Sequence, residues 1–244
     1  MASCKKTKGK IKIIATIGPA SSNRRTVYNM ICAGMGIARM NMKYADKRKL
    51  PALISTIKQA RKKANHECKI LIDINSENLI PFVKTLDFDY LALAFTETPE
   101  QIERIKRAFL PKKIKLISKI ESKKGIKNID KIINHSWGVM VARGDLGKNI
   151  PFERLPVFQK LIIRKCNRKG KIAITATEML LSMLHSKIPQ RSESSDVANA
   201  VLDGSDMVML SEETAIGEHP ILVVKTMRKI IDETETWRCI LKTS

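Results

Sequence analysis

The stretch IKLISKIESKKGIKNIDKIINHSWGVMVA, residues 114–142, carries the pattern that decides the fold. It opens with the run IKLISKI, which is rich in β-branched residues, and closes with the apolar run WGVMVA. Between the two runs, residues 123–133 place their apolar side chains at helical spacing. A strand, a helix and a second strand in this order are typical of a βαβ unit, in which both strands run parallel.

The same alternation continues on both sides of this stretch. Helical patterns cover residues 23–33, 46–64, 99–109, 123–133, 152–168 and 220–235. The third unit is the exception, because only residues 75–88 separate the third and fourth strands and leave room for little more than a short helix. Eight strands are predicted, beginning near Lys12, Gly36, Lys69, Asp89, Ile114, Trp137, Lys171 and Asp206.

Eight βα units in 244 residues match the size of a (β/α)₈ barrel, which typically has about 250 residues. No Ser/Gly-rich linker divides the chain, so we predict a single barrel domain over residues 1–244. An open, doubly wound α/β sheet is the alternative that the pattern allows. That fold would favour a glycine-rich turn after the first strand for dinucleotide binding, and the sequence lacks this turn.

Composition restricts the class of protein. The chain is 43% hydrophobic, which supports a large core, yet no run approaches the roughly 18 apolar residues of a membrane span. The basic N-terminus leads directly into a predicted strand and not into a signal-type apolar region. Five widely spaced cysteines without a CxxC pair indicate neither a disulfide framework nor a zinc site. We therefore expect a soluble, cytoplasmic protein with no membrane partner.

The formal net charge of +21 raises the question of nucleic-acid binding. The lysines, however, are spread along the whole chain, aromatic residues make up only 5% of it, and no recognised nucleic-acid motif is present. These features argue against a nucleic-acid partner. They are consistent with a lysine-rich surface that attracts small anionic metabolites weakly.

Polar residues close most of the predicted strands, which is where a (β/α)₈ barrel places its catalytic side chains. Glu121 and Asp145 follow adjacent strands, so their carboxylates are expected to converge and could bind one Mg²⁺ or Mn²⁺ ion. Lys119 lies two residues before Glu121, on the same face of its strand. A divalent metal beside an ammonium group suits a developing enolate oxygen, because both positive charges are in place before the negative charge forms.

The motif ARGDLG, residues 142–147, follows the sixth predicted strand. Its glycines allow a tight turn whose backbone N–H groups could hold a substrate carboxylate. Each residue of the site, taken alone, is more often a member of a structural ion pair or a helix cap than a ligand. Thr177, for instance, also fits the N-cap of a following helix.

Several motifs, taken together and in order, resemble the pyruvate kinase family over residues 10 to 235. They are ATIGPASS (15–22), AGMGIARMN (33–41), ISKIES (117–122), MVARGDLG (140–147), KCNRKGK (165–171), ITATEMLLSM (174–183), SDVANAVLDGSD (195–206) and MLSEETAIG (209–217). The resemblance implies the (β/α)₈ barrel of that family.

The resemblance also implies roles for residues that handle pyruvate and its enolate. Lys119 matches the family's catalytic lysine, which stabilises the enolate. Glu121 and Asp145 match the ligands of its Mg²⁺ or Mn²⁺ ion. Arg39 matches the arginine that faces the transferred phosphoryl group.

Further residues match the family's substrate pocket. Arg143, Gly144, Asp145 and Thr177 fall at positions associated with binding the substrate carboxylate, and Ser211 falls in the region that delivers a proton. The resemblance thus predicts that the enolate-forming half of the machinery is complete.

The nucleotide-binding half departs from the family. The family's DTKGPEIR, which precedes a separate lid domain, is replaced by DINSENLI at residues 73–80, and its NFSHG by NMKYA at residues 41–45. We therefore expect no lid. Of the family's four potassium-binding positions, Asn41 and Asp73 remain, whereas Lys43 and Ile74 replace the others. We expect the Lys43 ammonium to replace the cation and neutralise Asp73, so that K⁺ is not required.

The chain ends at Ser244, where the family continues into an allosteric domain, so effector regulation by that route is not expected. Members of the family associate through helices of the barrel. The resemblance therefore implies a homo-oligomer.

These observations lead to three hypotheses of function. The first is a metal-dependent enzyme that forms an enolate from pyruvate, phosphoenolpyruvate or a related 2-oxo acid and carries out lyase, decarboxylase or aldol-type chemistry without phosphorylating ADP. The second is a minimal pyruvate kinase that transfers the phosphoryl group of phosphoenolpyruvate to ADP. The third is a non-catalytic protein that binds a metabolite. The loss of the lid favours the first, because phosphoryl transfer depends on positioning and on exclusion of water.

Overall fold

Residues 11–237, which the computed structural model describes, build a closed barrel of eight parallel strands in the order of the chain. Strand β1 pairs with both β2 and β8 and so closes the barrel. The predicted (β/α)₈ fold is confirmed, and the alternative of an open sheet is wrong. The strands are β1 Lys12–Thr16, β2 Met35–Asn41, β3 Lys69–Ile74, β4 Tyr90–Leu93, β5 Lys115–Ile120, β6 Gly138–Ala142, β7 Ile172–Ala176 and β8 Met207–Leu210.

Helices follow the strands and surround the barrel. Single 3₁₀ turns also occur at Glu77–Leu79, Phe152–Arg154 and Leu181–Leu184. Among residues 11–237, no helix is long and apolar enough to cross a membrane. The helices are α1 Arg24–Cys32, α2 Leu50–Ala64, α3 Ile80–Val83, α4 Pro99–Ala108, α5 Lys123–Lys127, α6 Ile129–His135, α7 Arg143–Asn149, α8 Leu155–Arg168, α9 Arg191–Asp203, α10 Glu212–Ala215 and α11 Pro220–Trp237.

Two predicted helices differ from the observed ones for local reasons. The pattern over residues 123–133 is divided between α5 and α6, because Asn128 leaves the helical conformation and its Nδ2 donates to the carbonyl of Glu97 at 2.8 Å. The helix predicted from residue 46 begins only at Leu50. The Asp46 carboxylate instead accepts the backbone N–H of Arg48 at 3.0 Å and holds a turn.

The third βα unit is short, as predicted. Between β3 and β4 the chain forms only the 3₁₀ turn Glu77–Leu79 and the four-residue helix α3. The Ser76 hydroxyl caps the turn by accepting the backbone N–H of Asn78 at 3.2 Å. This side of the barrel mouth is therefore bordered by a brief connection.

The strands place apolar residues inside the barrel and polar residues at its C-terminal mouth. Successive side chains of a strand point to opposite faces, so residues two apart share a face. Ile37, Leu71 and Ile117 belong to the apolar cluster that fills the interior. Two residues further along β2, β3 and β5, the same inward face carries Arg39, Asp73 and Lys119. The apolar cluster in the interior therefore lies directly below these charged side chains.

Candidate functional site

Three charged side chains from three strands meet at the mouth of the barrel. The Arg39 guanidinium donates to Asp73 Oδ2 through Nε at 2.9 Å, and its Nη2 lies 2.7 Å from the same oxygen. Lys119 Nζ lies 3.3 Å from the other carboxylate oxygen, Oδ1. Asp73 is only 2% exposed, so this ion pair is shielded from water. The carboxylate of β3 therefore fixes the two cations of β2 and β5 side by side.

Thr16, at the end of β1, extends this network to β8. Its Oγ1 accepts a hydrogen bond from Arg39 Nη1 at 2.8 Å and donates to the carbonyl of Leu210 at 2.8 Å. Thr16 thereby holds the Arg39 guanidinium only through Nη1, while Asp73 engages Nε and Nη2. Thr16 was not among the residues predicted from the sequence, although its position as the last residue of a strand is a usable signal.

Glu121, directly after β5, has its carboxylate buried and held at both oxygens. Lys119 Nζ lies 3.0 Å from Oε1, and the backbone N–H of Phe95 donates to Oε2 at 2.6 Å. Phe95 adopts φ +47°, a left-handed conformation that is costly for a bulky residue. Sequence analysis did not identify Phe95, because a backbone donor in a strained conformation leaves no signature in the side-chain pattern.

Burial and charge act in opposite directions on the pKa values of this pair. Burial raises the pKa of the Glu121 carboxyl, and the Lys119 ammonium opposes that shift only in part. For Lys119, burial lowers the pKa, but the carboxylates of Asp73 and Glu121 outweigh it and raise the pKa above its ordinary value. Lys119 is therefore a buried ammonium at neutral pH.

Asp145 lies in the first turn of α7, across from Glu121. Its side chain is 49% exposed, and Lys148 Nζ lies 3.4 Å from Oδ1. Carboxylates are the ligands that Mg²⁺ and Mn²⁺ prefer, so Glu121 and Asp145 have the right chemistry for such an ion. Within residues 11–237, no group of three or more acidic, histidine or cysteine side chains is arranged to bind a metal. A metal held here would thus take its remaining ligands from substrate oxygens and water.

Gly144 and Thr177 lie in direct contact at the mouth. The backbone N–H of Gly144 donates to Thr177 Oγ1 at 2.7 Å, and the hydroxyl donates to the carbonyl of Ala176 at 2.6 Å. Thr177 has φ +70° and Glu178 has φ +53°, so the chain turns sharply after β7. The next helical element is a 3₁₀ turn whose N-cap is Leu180, so the N-cap alternative for Thr177 is wrong.

Arg143 does not present its guanidinium to the mouth as a free substrate ligand. Its Nη1 donates to Asp196 Oδ1 at 2.7 Å and to Gln159 Oε1 at 3.2 Å. Its Nη2 donates to the carbonyl of Thr177 at 2.6 Å. The side chain is 8% exposed and its donors are engaged by protein atoms. The Arg143 guanidinium therefore holds the turn after β7 against α8 and α9 and is not available to a substrate.

Lys43 does not neutralise Asp73, contrary to the sequence-based expectation. Its side chain is exposed, and Nζ lies 5.3 Å from the centre of the Tyr44 ring. Asn41 Oδ1 accepts the backbone N–H of Lys43 at 3.1 Å, which turns the chain outward after β2. Arg39 and Lys119 are the cations that pair with Asp73. Asn41 is the pairing partner of Asp73 across β2 and β3, so two residues of the predicted cation site are adjacent, whereas the ammonium of the third, Lys43, lies over Tyr44.

Ser211 and Glu213 lie beyond β8 and connect it to the segment after β7. Glu213 is fully buried, and its Oε2 accepts the backbone N–H of Ser211 at 2.6 Å. Its Oε1 accepts the backbone N–H of Leu180 at 3.2 Å. The carboxylate thus fixes the backbone of Ser211 at the mouth. Burial raises the pKa of Glu213 and outweighs the backbone N–H donors, which lower it.

The pKa of Glu213 has a consequence for stability. A carboxyl whose pKa is raised by folding stabilises the protein fully below its unfolded pKa, near 4.5, and this contribution is lost as the pH rises through the folded pKa. We expect the free energy of unfolding to decline less steeply above pH 4.5 in Glu213→Gln than in the wild type. Urea denaturation at a series of pH values measures both slopes. Glu153→Gln, at an exposed position far from Glu213 in the sequence, is the control, and equal slopes in all three proteins would contradict the assignment.

Comparison with known proteins places this geometry in a family. The model of the pyruvate kinase barrel domain matches residues 8–80 and 75–224. The pyruvate kinase of Thermococcus litoralis is 31% identical over 335 aligned positions, which cover 94% of this chain and 70% of the relative. The pyruvate kinase of Methanocaldococcus jannaschii is 45% identical over 162 residues, or 66% of this chain and 36% of the relative. A cytosolic pyruvate kinase isozyme of Solanum tuberosum is 43% identical over 168 residues, or 68% and 33%.

The matches also show where this chain is shorter than its relatives, which is near the short third βα unit. The aligned part of this chain spans about a third of the M. jannaschii and S. tuberosum relatives. The two matched segments of the family model overlap at residues 75–80, between β3 and β4. The T. litoralis alignment has 335 positions although this chain has 244 residues, so that relative contains residues with no counterpart here. With a closed eight-stranded barrel and a matching family model over most of its residues, the chain belongs to the pyruvate kinase family.

Proposed function

We propose that the protein transfers a phosphoryl group between phosphoenolpyruvate and ADP through the enolate of pyruvate. The observation that carries this proposal is the buried network of Arg39, Asp73, Lys119 and Glu121 at the barrel mouth. The names of the relatives favour this reaction over the lyase chemistry that the sequence alone led us to prefer. The comparisons offer no support for a lyase.

Lys119 and Arg39 are the cations proposed to act on the substrate. The Lys119 ammonium, held by Asp73 and Glu121, stabilises the enolate oxygen as its charge develops. Arg39, aligned by Asp73 and Thr16, neutralises the phosphoryl group during transfer. Because these cations are oriented before the substrate arrives, little reorganisation is needed in the transition state.

Glu121 and Asp145 are the proposed ligands of Mg²⁺ or Mn²⁺. Such an ion, when bound, supplies Lewis-acid polarisation of the substrate oxygens. Gly144, Asp145 and Thr177 are proposed to border the substrate carboxylate, and Ser211 to lie on the route of the proton to the enolate carbon. The hydrogen bond between Gly144 and Thr177 supports only their proximity at the mouth. The Gly144 N–H is engaged by Thr177 Oγ1 and the Thr177 hydroxyl by the carbonyl of Ala176, so both hydrogen bonds would have to be redirected for a carboxylate to bind.

The setting of this activity is also a proposal. We propose that residues 1–244 form one barrel domain, that the protein acts in the cytoplasm, and that it assembles as a homo-oligomer. Independence from K⁺ stays a prediction. It now rests on Arg39 and Lys119, which neutralise Asp73 in place of Lys43.

The reaction is tested by incubating the purified protein with phosphoenolpyruvate, ADP and Mg²⁺ or Mn²⁺, with and without K⁺, and measuring pyruvate and ATP. A parallel proton-NMR assay follows exchange of the methyl protons of pyruvate in D₂O. Production of ATP supports the proposal. Proton exchange without ATP would instead support the enolate-forming hypothesis without phosphoryl transfer, which the short connection between β3 and β4 favours. Binding of phosphoenolpyruvate with neither activity would support a metabolite-binding protein.

A further inference from the structure

We propose that Asn149 is a positioning residue that sets the separation of Glu121 and Asp145, an inference that rests on the proposed function. Its side-chain Nδ2 donates to the backbone carbonyl of Glu121 at 3.0 Å and to that of Asp145 at 2.9 Å. A primary amide has two N–H groups, one for each carbonyl. A single side chain therefore connects the backbones of both proposed metal ligands.

The two hydrogen bonds of Asn149 lie beyond the last backbone pair between β5 and β6, where the sheet no longer joins the two strands. The ladder between β5 and β6 has its last pair at Ile120 and Val141. Glu121 is the next residue beyond that pair, and Asp145 has already entered α7. Asn149 lies at the other end of α7, one turn after Asp145, and reaches across to the end of β5. The amide thus continues the link between the two strands into the mouth.

The two carboxylates are otherwise held very unequally. Glu121 is 1% exposed and is fixed by Lys119 and Phe95. The Asp145 side chain is half exposed, and within residues 11–237 its carboxylate is paired only with the ammonium of the exposed Lys148 side chain, at 3.4 Å. The position of Asp145 relative to Glu121 is therefore determined mainly by its backbone. Groups that orient metal ligands in this way commonly contribute about 10- to 100-fold to metal affinity.

The test measures Mn²⁺ binding directly, by electron paramagnetic resonance of free Mn²⁺ during titration of the protein without substrate. We expect Asn149→Ala to raise the Kd for Mn²⁺ by about 10- to 100-fold. Asn149 is exposed, so the variant should fold, which circular dichroism and the Tm verify. Asn149→Leu removes the donors while keeping the side-chain shape, and Asn149→Gln, which retains both N–H groups, should restore part of the affinity.

The matched control is Asn167→Ala. Asn167 Nδ2 also donates to a backbone carbonyl, that of Gly204 at 3.0 Å, but at the end of α8 remote from the mouth. Its Kd for Mn²⁺ should equal that of the wild type. A Kd within twofold of the wild type in both Asn149→Ala and Asn149→Leu would overturn the inference. Absence of Mn²⁺ binding by the wild type would instead overturn the metal site of the proposed function.

Discussion

Lys119→Met is expected to lower the rate of pyruvate formation, and of methyl-proton exchange in pyruvate, by about 10³-fold. Methionine fills a similar volume but removes the ammonium that the proposed mechanism places against the enolate oxygen. The buried site gives this charge a large effect, because the surrounding low dielectric weakens it less than bulk water would. The measurement is kcat with phosphoenolpyruvate and ADP, together with the exchange rate by NMR.

Lys113→Met provides the control for this prediction. Lys113 is exposed in the segment before β5 and lies at the opposite end of the barrel from the mouth, so its replacement should leave both rates unchanged. Retention of the exchange rate in Lys119→Met, in a variant that circular dichroism shows to be folded, would remove Lys119 from the mechanism.

Asp73→Asn is expected to lower the free energy of unfolding by about 3–5 kcal/mol, since it leaves buried cations without their carboxylate. Asp73 is the shared partner of Arg39 and Lys119, and only Lys119 has a second carboxylate, that of Glu121. The substitution preserves shape and removes charge. Urea denaturation followed by circular dichroism measures the change.

The exposed ion pair of Asp87 with Lys58 supplies the matched comparison. The Asp87 side chain is 74% exposed, and such pairs contribute about 1 kcal/mol or less. We therefore expect Asp87→Asn to unfold at nearly the wild-type urea concentration. Equal free energies of unfolding for Asp73→Asn and Asp87→Asn would contradict the proposed contribution of the buried network to stability.

The short-range pattern of apolar and polar residues was sufficient to predict the fold. The run IKLISKI and the seven runs like it predicted strands whose observed starts differ by no more than one residue, because β-branched and apolar residues alternate with amphipathic segments over short distances. Because residues two apart on a strand share a face, the sequence also predicted that the side chains of Lys119 and Glu121 lie on the same side of β5. Their 3.0 Å ion pair is consistent with that prediction.

The partners of the polar side chains were decided only by the tertiary structure. Lys43 lies two residues from Asn41, and the sequence suggested that it neutralises Asp73, yet the turn after β2 directs it outward. Arg143 precedes Gly144 in the sequence, but its guanidinium donates to the carboxylate of Asp196, which lies 53 residues further along the chain. A one-dimensional pattern specifies which face of a strand a residue occupies. It does not specify which of several charges across the barrel lies within 3 Å, because that depends on how distant strands are registered and on how far each loop turns.

The sequence by itself therefore determined the eight strands, the closed barrel and the family to which the chain belongs. The tertiary structure decided that Arg39, Asp73 and Lys119 form one buried network, that Phe95 and Asn149 hold the proposed metal ligands, and that Lys43 and Arg143 serve elsewhere. The physical reason is the sequence separation over which each kind of interaction acts. Secondary structure follows from periodicity over a few residues, whereas an ion pair in a barrel is selected by distances between atoms that the chain separates by tens of residues.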